Sequence, residues 1–412
     1  MRPGLSSQSN GPFHDLAGRT ILQIIPELNA GGAERTTIDV AAALVASGAR
    51  ALVACEGGRL VSELQARGGL WIPFPAKTKN PLRMALNVGA LQKIIRAERV
   101  SLVHARSRAP AWVALGAARR AKVPLVTTYH GAYAGKSSLK VLYNSVMARG
   151  DVVIANSEFT RDRIVAMHPF AKERIVVIHR GADLRAFQPD QVAPARVQTL
   201  RREWGLEPDD RIVLLAARLT GWKGQRVLID AAKILSQRGV TGARYILAGD
   251  EQGRTGYAKE LDDRIAAAGL AGVVRRVGHC SDMPAAFLAA DAVCVPSTEP
   301  EAFGRSAVEA QAMGVPVVVT DIGAAPETVL APPQATEAER TGWRIPPDDA
   351  QALADALAPA LALGASQRDA LAARARRHVE SNFSVETMCA RTLGVYDHLL
   401  APATPEAWAT HS

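Results

Sequence analysis

The chain has only four cysteines in 412 residues, Cys55, Cys280, Cys294 and Cys389, with no C-x-x-C pair and no cysteine–histidine spacing of a zinc site. That excludes a disulfide framework and a structural zinc centre, and leaves free thiols expected to be buried. No apolar run approaches the roughly 18 residues that cross a bilayer. Residues 1–20, MRPGLSSQSNGPFHDLAGRT, lack the basic start and apolar stretch of a secretory signal, so a cytoplasmic location is expected. The glycine fingerprint G-x-G-x-x-G is missing, which excludes an NAD-dependent oxidoreductase. No D-x-D occurs, so the usual aspartate pair for Mg²⁺ or Mn²⁺ on a diphosphate is missing too. Helix-turn-helix, zinc and RNP patterns are equally lacking, and no nucleic-acid partner is expected.

What the chain does have is length and alternation. At 412 residues it suits two cores rather than one. The runs TILQII, ALVAC, LVHA, PLVTTY, VVIAN and IVVIH alternate with Ala/Leu-rich stretches in the first half, as do RIVLLAA, RYILAG, VVRRVG, AVCVPS and VPVVVTD in the second. This predicts an α/β protein with two parallel, doubly wound, Rossmann-like domains. The boundaries expected are a loose segment 1–19, an N-terminal domain 20–190, a C-terminal domain 191–384 and a last helix with a frayed tail over 385–412. The joint is placed in the Pro- and Gln-containing stretch 187–198. ILQIIPELNAGGAERTTIDVAAAL and IVLLAARLTGWKGQRVLIDAAKIL both read as strand, glycine-containing loop, helix, the opening unit of such a domain.

Charge is divided between the halves. Residues 1–190 hold 26 Lys and Arg against 13 Asp and Glu, and residues 191–412 hold 23 against 27. Between Lys77 and Arg149 fourteen basic residues face Glu98 alone. An anionic surface is therefore expected to meet residues 77–149, and an anionic inner membrane suits this stretch, with Trp71, Phe74, Trp112, Tyr129, Tyr133 and Tyr143 at a headgroup interface. A solvated basic face over core aromatics is the alternative.

Three loops favour anions. In NAGGAERT, Gly31 and Gly32 let backbone N–H groups approach a ligand at the start of a helix; read alone, the loop is also an ordinary tight turn. In ARLTGWKG, Arg218 follows a strand and Lys223 stands five residues on, two cations suited to a diphosphate, or else a solvated basic turn. In EAFGRSAVEA, Gly304, Arg305 and Ser306 open a helix whose free N–H groups make a third anion site. Glu301 lies before that helix and Glu309 inside it, each able to accept from hydroxyls. Phosphate-binding groups beside two carboxylates describe a nucleotide diphosphate sugar, with Arg218 and Lys223 in place of a metal.

With these residues in hand, the chain resembles the retaining glycosyltransferases of the GT-B fold, whose two Rossmann-like domains face across a cleft. That group includes bacterial mannosyl- and glucosyltransferases of lipopolysaccharide and phosphoinositide mannoside assembly. The likeness runs over residues 20–398 through GGAE, YHG, ANSEFTR, ARLTGWKG, AGDEQG, DAVCVPS and EAFGRSAVE in order. Ala217 and Glu251 stand where many members have glycine.

The resemblance implies roles. Glu301 holds donor-sugar hydroxyls with the backbone of Ala302, Phe303 and Gly304, and Glu309 holds the ribose. Arg218 and Lys223 stabilise the departing diphosphate, Gly31 and Gly32 close onto the phosphates, and Gly278 and His279 meet the base. His130 orients the sugar near its anomeric carbon, whereas His104 and His179 are structural. The last helix returns towards the N-terminal domain. The implied reaction moves a hexose with retention, without metal or other cofactor, from a UDP- or GDP-linked donor to a lipopolysaccharide-core or lipid-linked acceptor, on the inner face of the inner membrane. A noncatalytic nucleotide-sugar sensor and a sugar-nucleotide epimerase of the same fold are the rival expectations. A phosphorylase would need a pyridoxal phosphate lysine and a much longer chain.

Overall fold

A computed structural model describes residues 16–29, 31–131 and 137–401. Expectations for residues 1–15 and 402–412, and for Tyr133 and Lys136, fall outside these. Backbone packing divides the described residues into two units: those up to 156, those from 160 to 181 and those from 386 onwards form the first, and residues 157–159 and 182–385 the second.

The first unit contains β1 (Thr20–Ile24), β2 (Arg50–Cys55), β3 (Leu70–Pro73), β4 (Leu102–Ala105), β5 (Leu125–Tyr129), β6 (Val152–Ala155) and β7 (Ile175–Val177). They form one parallel sheet in the order β3-β2-β1-β4-β5-β6-β7. Strands β1, β2 and β4 are buried along nearly all their length, as apolar runs covered on both faces must be. The second unit contains β8 (Arg211–Ala216), β9 (Ala243–Ala248), β10 (Val274–Gly278), β11 (Ala292–Val295), β12 (Val317–Thr320) and β13 (Trp343–Ile345). Its order, β10-β9-β8-β11-β12-β13, repeats the pattern of the first. Each sheet reverses its winding beside its first strand, at β1/β4 and at β8/β11. Ligands of doubly wound sheets bind outside the carboxyl ends of the strands at such a reversal.

Three helices close the chain, Ala350–Leu361, Ala365–Phe383 and Val385–Leu400. Residues of the last belong to the first unit. Its Tyr396 is fully buried there, the hydroxyl 2.5 Å from His104 Nδ1. His104 Nε2 in turn lies 2.7 Å from Thr128 Oγ1, so both ring nitrogens of this histidine are engaged within the unit.

Four features differ from the sequence reading. Strands β3 and β13 are additions, both at sheet edges, where short and half-exposed segments carry a weak apolar signal. The stretch 187–198 is not a free joint, because Phe187 and Val192 are buried in the second unit's core with Leu200 and Trp204. Of the aromatics expected at a headgroup interface, Phe74 and Tyr129 are buried, Trp71 donates to the Cys55 carbonyl and Trp112 to that of Tyr143, whose ring is half-buried beside Arg108. Cys55, Cys294 and Cys389 are buried thiols, but Cys280 is only partly covered. Among the described residues no helix is long and apolar enough to cross a membrane.

Candidate active site

The site in the second unit is built from the loops that leave β8 and β11, the two strands flanking the reversal. After β8 the chain turns through Arg218 to a single 3-10 turn, Gly221–Lys223, and then enters the helix Gln225–Gln237. Gly224 caps that helix with φ +76°, and a Cβ there would overlap the Pro296 carbonyl, so both conformation and space require glycine. Buried Gln225 donates to the Arg218 carbonyl at 3.0 Å and accepts from the Tyr257 hydroxyl at 3.1 Å. Across the loop, Gly249 follows β9, and a Cβ there would overlap the Ala217 carbonyl. These contacts hold the Arg218 backbone in place.

After β11, Ser297 and Glu301 precede the helix Arg305–Ala312, whose N-cap is Gly304. The Ser306 hydroxyl donates to the Ala216 carbonyl at 2.9 Å, tying the start of this helix to the end of β8. Lys223 Nζ lies 2.8 Å from Glu301 Oε1 and 4.3 Å from the centre of the Trp222 ring. Ser297 Oγ donates to the same carboxylate oxygen of Glu301. Glu309 is buried and its Oε1 accepts from Arg305 Nε at 2.5 Å. Burial pushes the Glu309 carboxyl above the usual range, with Arg305 opposing the shift.

A hollow of about 360 Å³ brings together Arg218, His279, Ser306 and Glu309, with Gly249, Asp250 and Cys280 in its wall. Glu301 and Gly304 line a neighbouring crevice of about 20 Å³, room for about one water. Lys223 reaches that crevice through its ion pair with Glu301. Gly278, at φ +72°, accepts from the Gly249 N–H at 2.7 Å, which turns the chain so that His279 faces the hollow.

Two members of the predicted helix opening do other work. The Phe303 ring lies in the core, edge-on to Phe383 at 5.8 Å, so only its backbone is left for a ligand. Arg305 is engaged with Glu309. A larger hollow of about 840 Å³ lies beyond His279, between β10 and the helix Pro194–Glu203. Two of its arginines are paired with acids, Arg196 with Asp282 at 2.8 Å and Arg276 with Asp262 at 2.7 Å, and Arg275 donates to the Trp204 carbonyl at 2.7 Å.

Sequence reasoning missed Trp222, Gln225, Ser297, Gly249 and Cys280. Four of the five stand inside or beside the quoted loops, so position alone was the available signal. None belongs to a residue type that announces ligand contact by itself.

In the first unit, Gly31 caps the helix Gly32–Ala46, and the Arg180 guanidinium packs where a Cβ on Gly32 would stand. Arg106 follows β4 and His130 follows β5, next to the β1/β4 reversal. Arg106 is buried and donates from Nε to Gln23 at 2.7 Å. His130 Nε2 is shut off from solvent with no partner among the described residues. Burial first, then the charges of Arg180 and Arg106, hold the His130 pKa well below the usual histidine value. The imidazole is thus neutral near pH 7, a hydrogen-bonding group rather than a cation.

Two parallel sheets with the same doubly wound order, one in each unit, define the GT-B class. Comparison with known proteins agrees: residues 30–186 match the Glycosyltransferase Family 4 profile and residues 197–378 that of Glycosyl transferases group 1. The chain belongs to the family 4-like glycosyltransferases of the GT-B fold. A glycosyltransferase structure from Rickettsia africae is 32% identical with a TM-score of 0.84, covering 93% of this chain and 99% of that one. Anabaena HepE in complex with UDP is 26% identical with a TM-score of 0.77, covering 92% and 100%. The lipopolysaccharide core biosynthesis mannosyltransferase LpsB of Rhizobium meliloti is 33% identical over 226 residues, a match spanning 53% of this chain and 60% of that protein's length.

Proposed function

We propose that the chain moves a hexose from a UDP- or GDP-linked donor to a lipopolysaccharide-core or lipid-linked acceptor, with retention at the anomeric carbon and without a metal ion. The observation that carries this reading is the grouping of Arg218, Lys223, Glu301 and Glu309 around the carboxyl ends of β8 and β11. Arg218 and Lys223 neutralise the diphosphate as it leaves, Glu309 binds the ribose and Glu301 the sugar hydroxyls. His130 orients the donor sugar as a neutral hydrogen-bonding group. Departing phosphate takes the acceptor proton on the face from which it leaves, so neither glutamate acts as nucleophile. Positioning and charge neutralisation supply the acceleration. The UDP complex of Anabaena HepE and the name of the Rhizobium mannosyltransferase support a nucleotide-sugar donor and an envelope acceptor.

The test is a thermal-shift panel of UDP-, GDP- and ADP-sugars on the wild type, Lys223→Ala and Glu309→Ala. Stabilisation by one donor class that disappears in both variants is expected. Equal stabilisation of wild type and variants would remove the site. Release of nucleotide only when an envelope acceptor is added distinguishes transfer from a sensor, which releases none, and from an epimerase, which needs no acceptor.

A further inference from the structure

Among the described residues, Arg106 of the first unit is a buried cation with no acid paired to it. Gln23, His104 and Thr128 lie on one face of the sheet, and Arg106 and His130 continue the same alternation one residue beyond β4 and β5. Arg106 Nε donates to Gln23 Oε1 at 2.7 Å, and Gln23 Nε2 donates to the Thr37 carbonyl at 3.0 Å. Its Nη2 is shut off from solvent with no partner among the described residues. Three groups favour its charge: Tyr396, Cys389 and Asp39. Burial keeps the first two neutral near pH 7, raising the Tyr396 phenol and pushing the Cys389 thiol up to about 12. The third lies 3.2 Å from Arg67. A guanidinium so placed is costly to the fold until an anion meets it, and such groups mark binding sites.

The surroundings favour the same sign of ligand. The charges of Arg106 and Arg180 both act on His130. The Arg180 guanidinium packs where a Cβ on Gly32 would stand, at the opening of the helix Gly32–Ala46, and both residues are half-buried. Two guanidinium groups and the positive end of a helix therefore gather about one neutral imidazole. Glu34, the acid in the first turn of that helix, folds back over Gly31.

We infer that Arg106, with Arg180, binds an oxyanion carried by the acceptor, a phosphate monoester or a carboxylate, beside His130. Guanidinium groups match oxyanions in charge and in the spacing of their donors. A neutral hydroxyl could accept from Nη2 but would leave the buried charge unanswered. In the function proposed above the donor diphosphate is met by Arg218 and Lys223, so the anion left for Arg106 belongs to the other substrate. The inference rests on that transfer reaction and adds that its acceptor is negatively charged next to the reacting hydroxyl.

Thermal shifts of the full chain with methyl phosphate, inorganic phosphate and acetate test it, each read against sodium chloride of equal ionic strength. Methyl phosphate or acetate should raise the wild-type melting temperature beyond the chloride control, and the larger response names the acceptor's anion. Arg106→Gln should lose that rise and Arg106→Lys, which keeps the charge but not the fork, should keep part of it. Arg180→Gln leaves the Gln23–Arg106 contact in place and should weaken the apparent affinity about tenfold, a readout that survives if Arg106→Gln fails to fold. Saturating UDP or GDP should leave the rise intact, and Arg180→Gln should keep its donor-induced shift, so a failure here is separable from a failure of donor binding. Equal responses of wild type, Arg106→Gln and Arg180→Gln would overturn the inference, as would no response beyond chloride. A rise that UDP or GDP abolishes would give the anion to the donor, and a rise with inorganic phosphate alone would give it to a free ion; either result removes the acceptor assignment.

Discussion

Lys223 and Glu301 form one unit: the ammonium lies 2.8 Å from the carboxylate, over the Trp222 ring, with both side chains largely covered. A cation assigned to the diphosphate and an acid assigned to the sugar thus fix each other's geometry. Removing either leaves the other poorly solvated without its partner, a loss of about 2–3 kcal/mol reduced by the remaining exposure. Lys223→Ala and Glu301→Ala should each lower kcat/KM on the order of a hundredfold, and the double variant should lose much less than the product. Urea melts and donor kinetics on the full cycle measure this. Strict additivity would show that the pair does not act together.

Glu309 predicts a pH dependence with a definite sign. Its carboxyl is held above the usual value by burial, with Arg305 opposing, so ionisation costs more in the folded state than in the unfolded chain. The stabilising contribution is therefore complete below the unfolded carboxyl pKa of about 4.3 and is lost as pH rises through the raised folded value. Glu309→Gln cannot ionise and should gain stability over wild type as the buffer is moved from acid to neutral pH, while donor affinity falls. Denaturant titrations across that range check it. A difference that stays flat would mean that Glu309 ionises without cost.

Much of this arrangement was legible in the chain. The strands buried on both faces announced themselves as β-branched runs, and the loop residues at their ends could be named because short loops leave few candidates. The edges were not legible. Leu70–Pro73 and Trp343–Ile345 are three- or four-residue strands with mixed exposure, and nothing in LWIP or WRI separates them from a loop. Side-chain partnership was equally hidden. The sequence spaces Arg305 and Glu309 four apart on a helix, which permits their pairing, but Lys223 and Glu301 meet only because β8 and β11 are neighbours.

Cys280 gives a chemical readout of the hollow. It is the one thiol of the four that is not buried, and it lines the same wall as Arg218 and Glu309. Burial pushes its pKa up, so it should react with a maleimide or disulfide reagent slowly and faster at alkaline pH. Mass spectrometry should find a single modified cysteine in the native protein, and saturating nucleoside diphosphate should slow the reaction. Modification at an unchanged rate with bound nucleotide would separate Cys280 from the donor site.

Gly249 tests the close packing beneath Arg218. A methyl group there would overlap the Ala217 carbonyl, backbone against backbone, with no flexible side chain to give way. Gly249→Ala should cost about 2–4 kcal/mol in stability and weaken donor binding by displacing the Arg218 loop. By contrast, Gly256→Ala, where the same atom meets open space in the helix Thr255–Ala267, should stabilise by up to about 1 kcal/mol. Equal effects of the two changes would show that the Ala217 contact does not constrain the loop.

Two buried histidines of the first unit, His104 and His130, contribute to the acid limb. Burial holds both His104 and His130 well below the usual histidine value, with Arg106 acting on each. A base whose folded pKa is depressed contributes stability that is present above the unfolded value of about 6.5 and is lost as pH falls towards the folded one. Wild type should lose stability steadily below about pH 6.5, and His130→Gln should lose less, because one buried group no longer has to charge. The pH–rate profile should show no ionisation near 6.5, since a neutral His130 already serves the donor sugar there. A rate limb centred near that value in the wild type, absent from His130→Gln, would show that the imidazole is solvated and titrates normally, and would remove its assignment as a neutral hydrogen-bonding group.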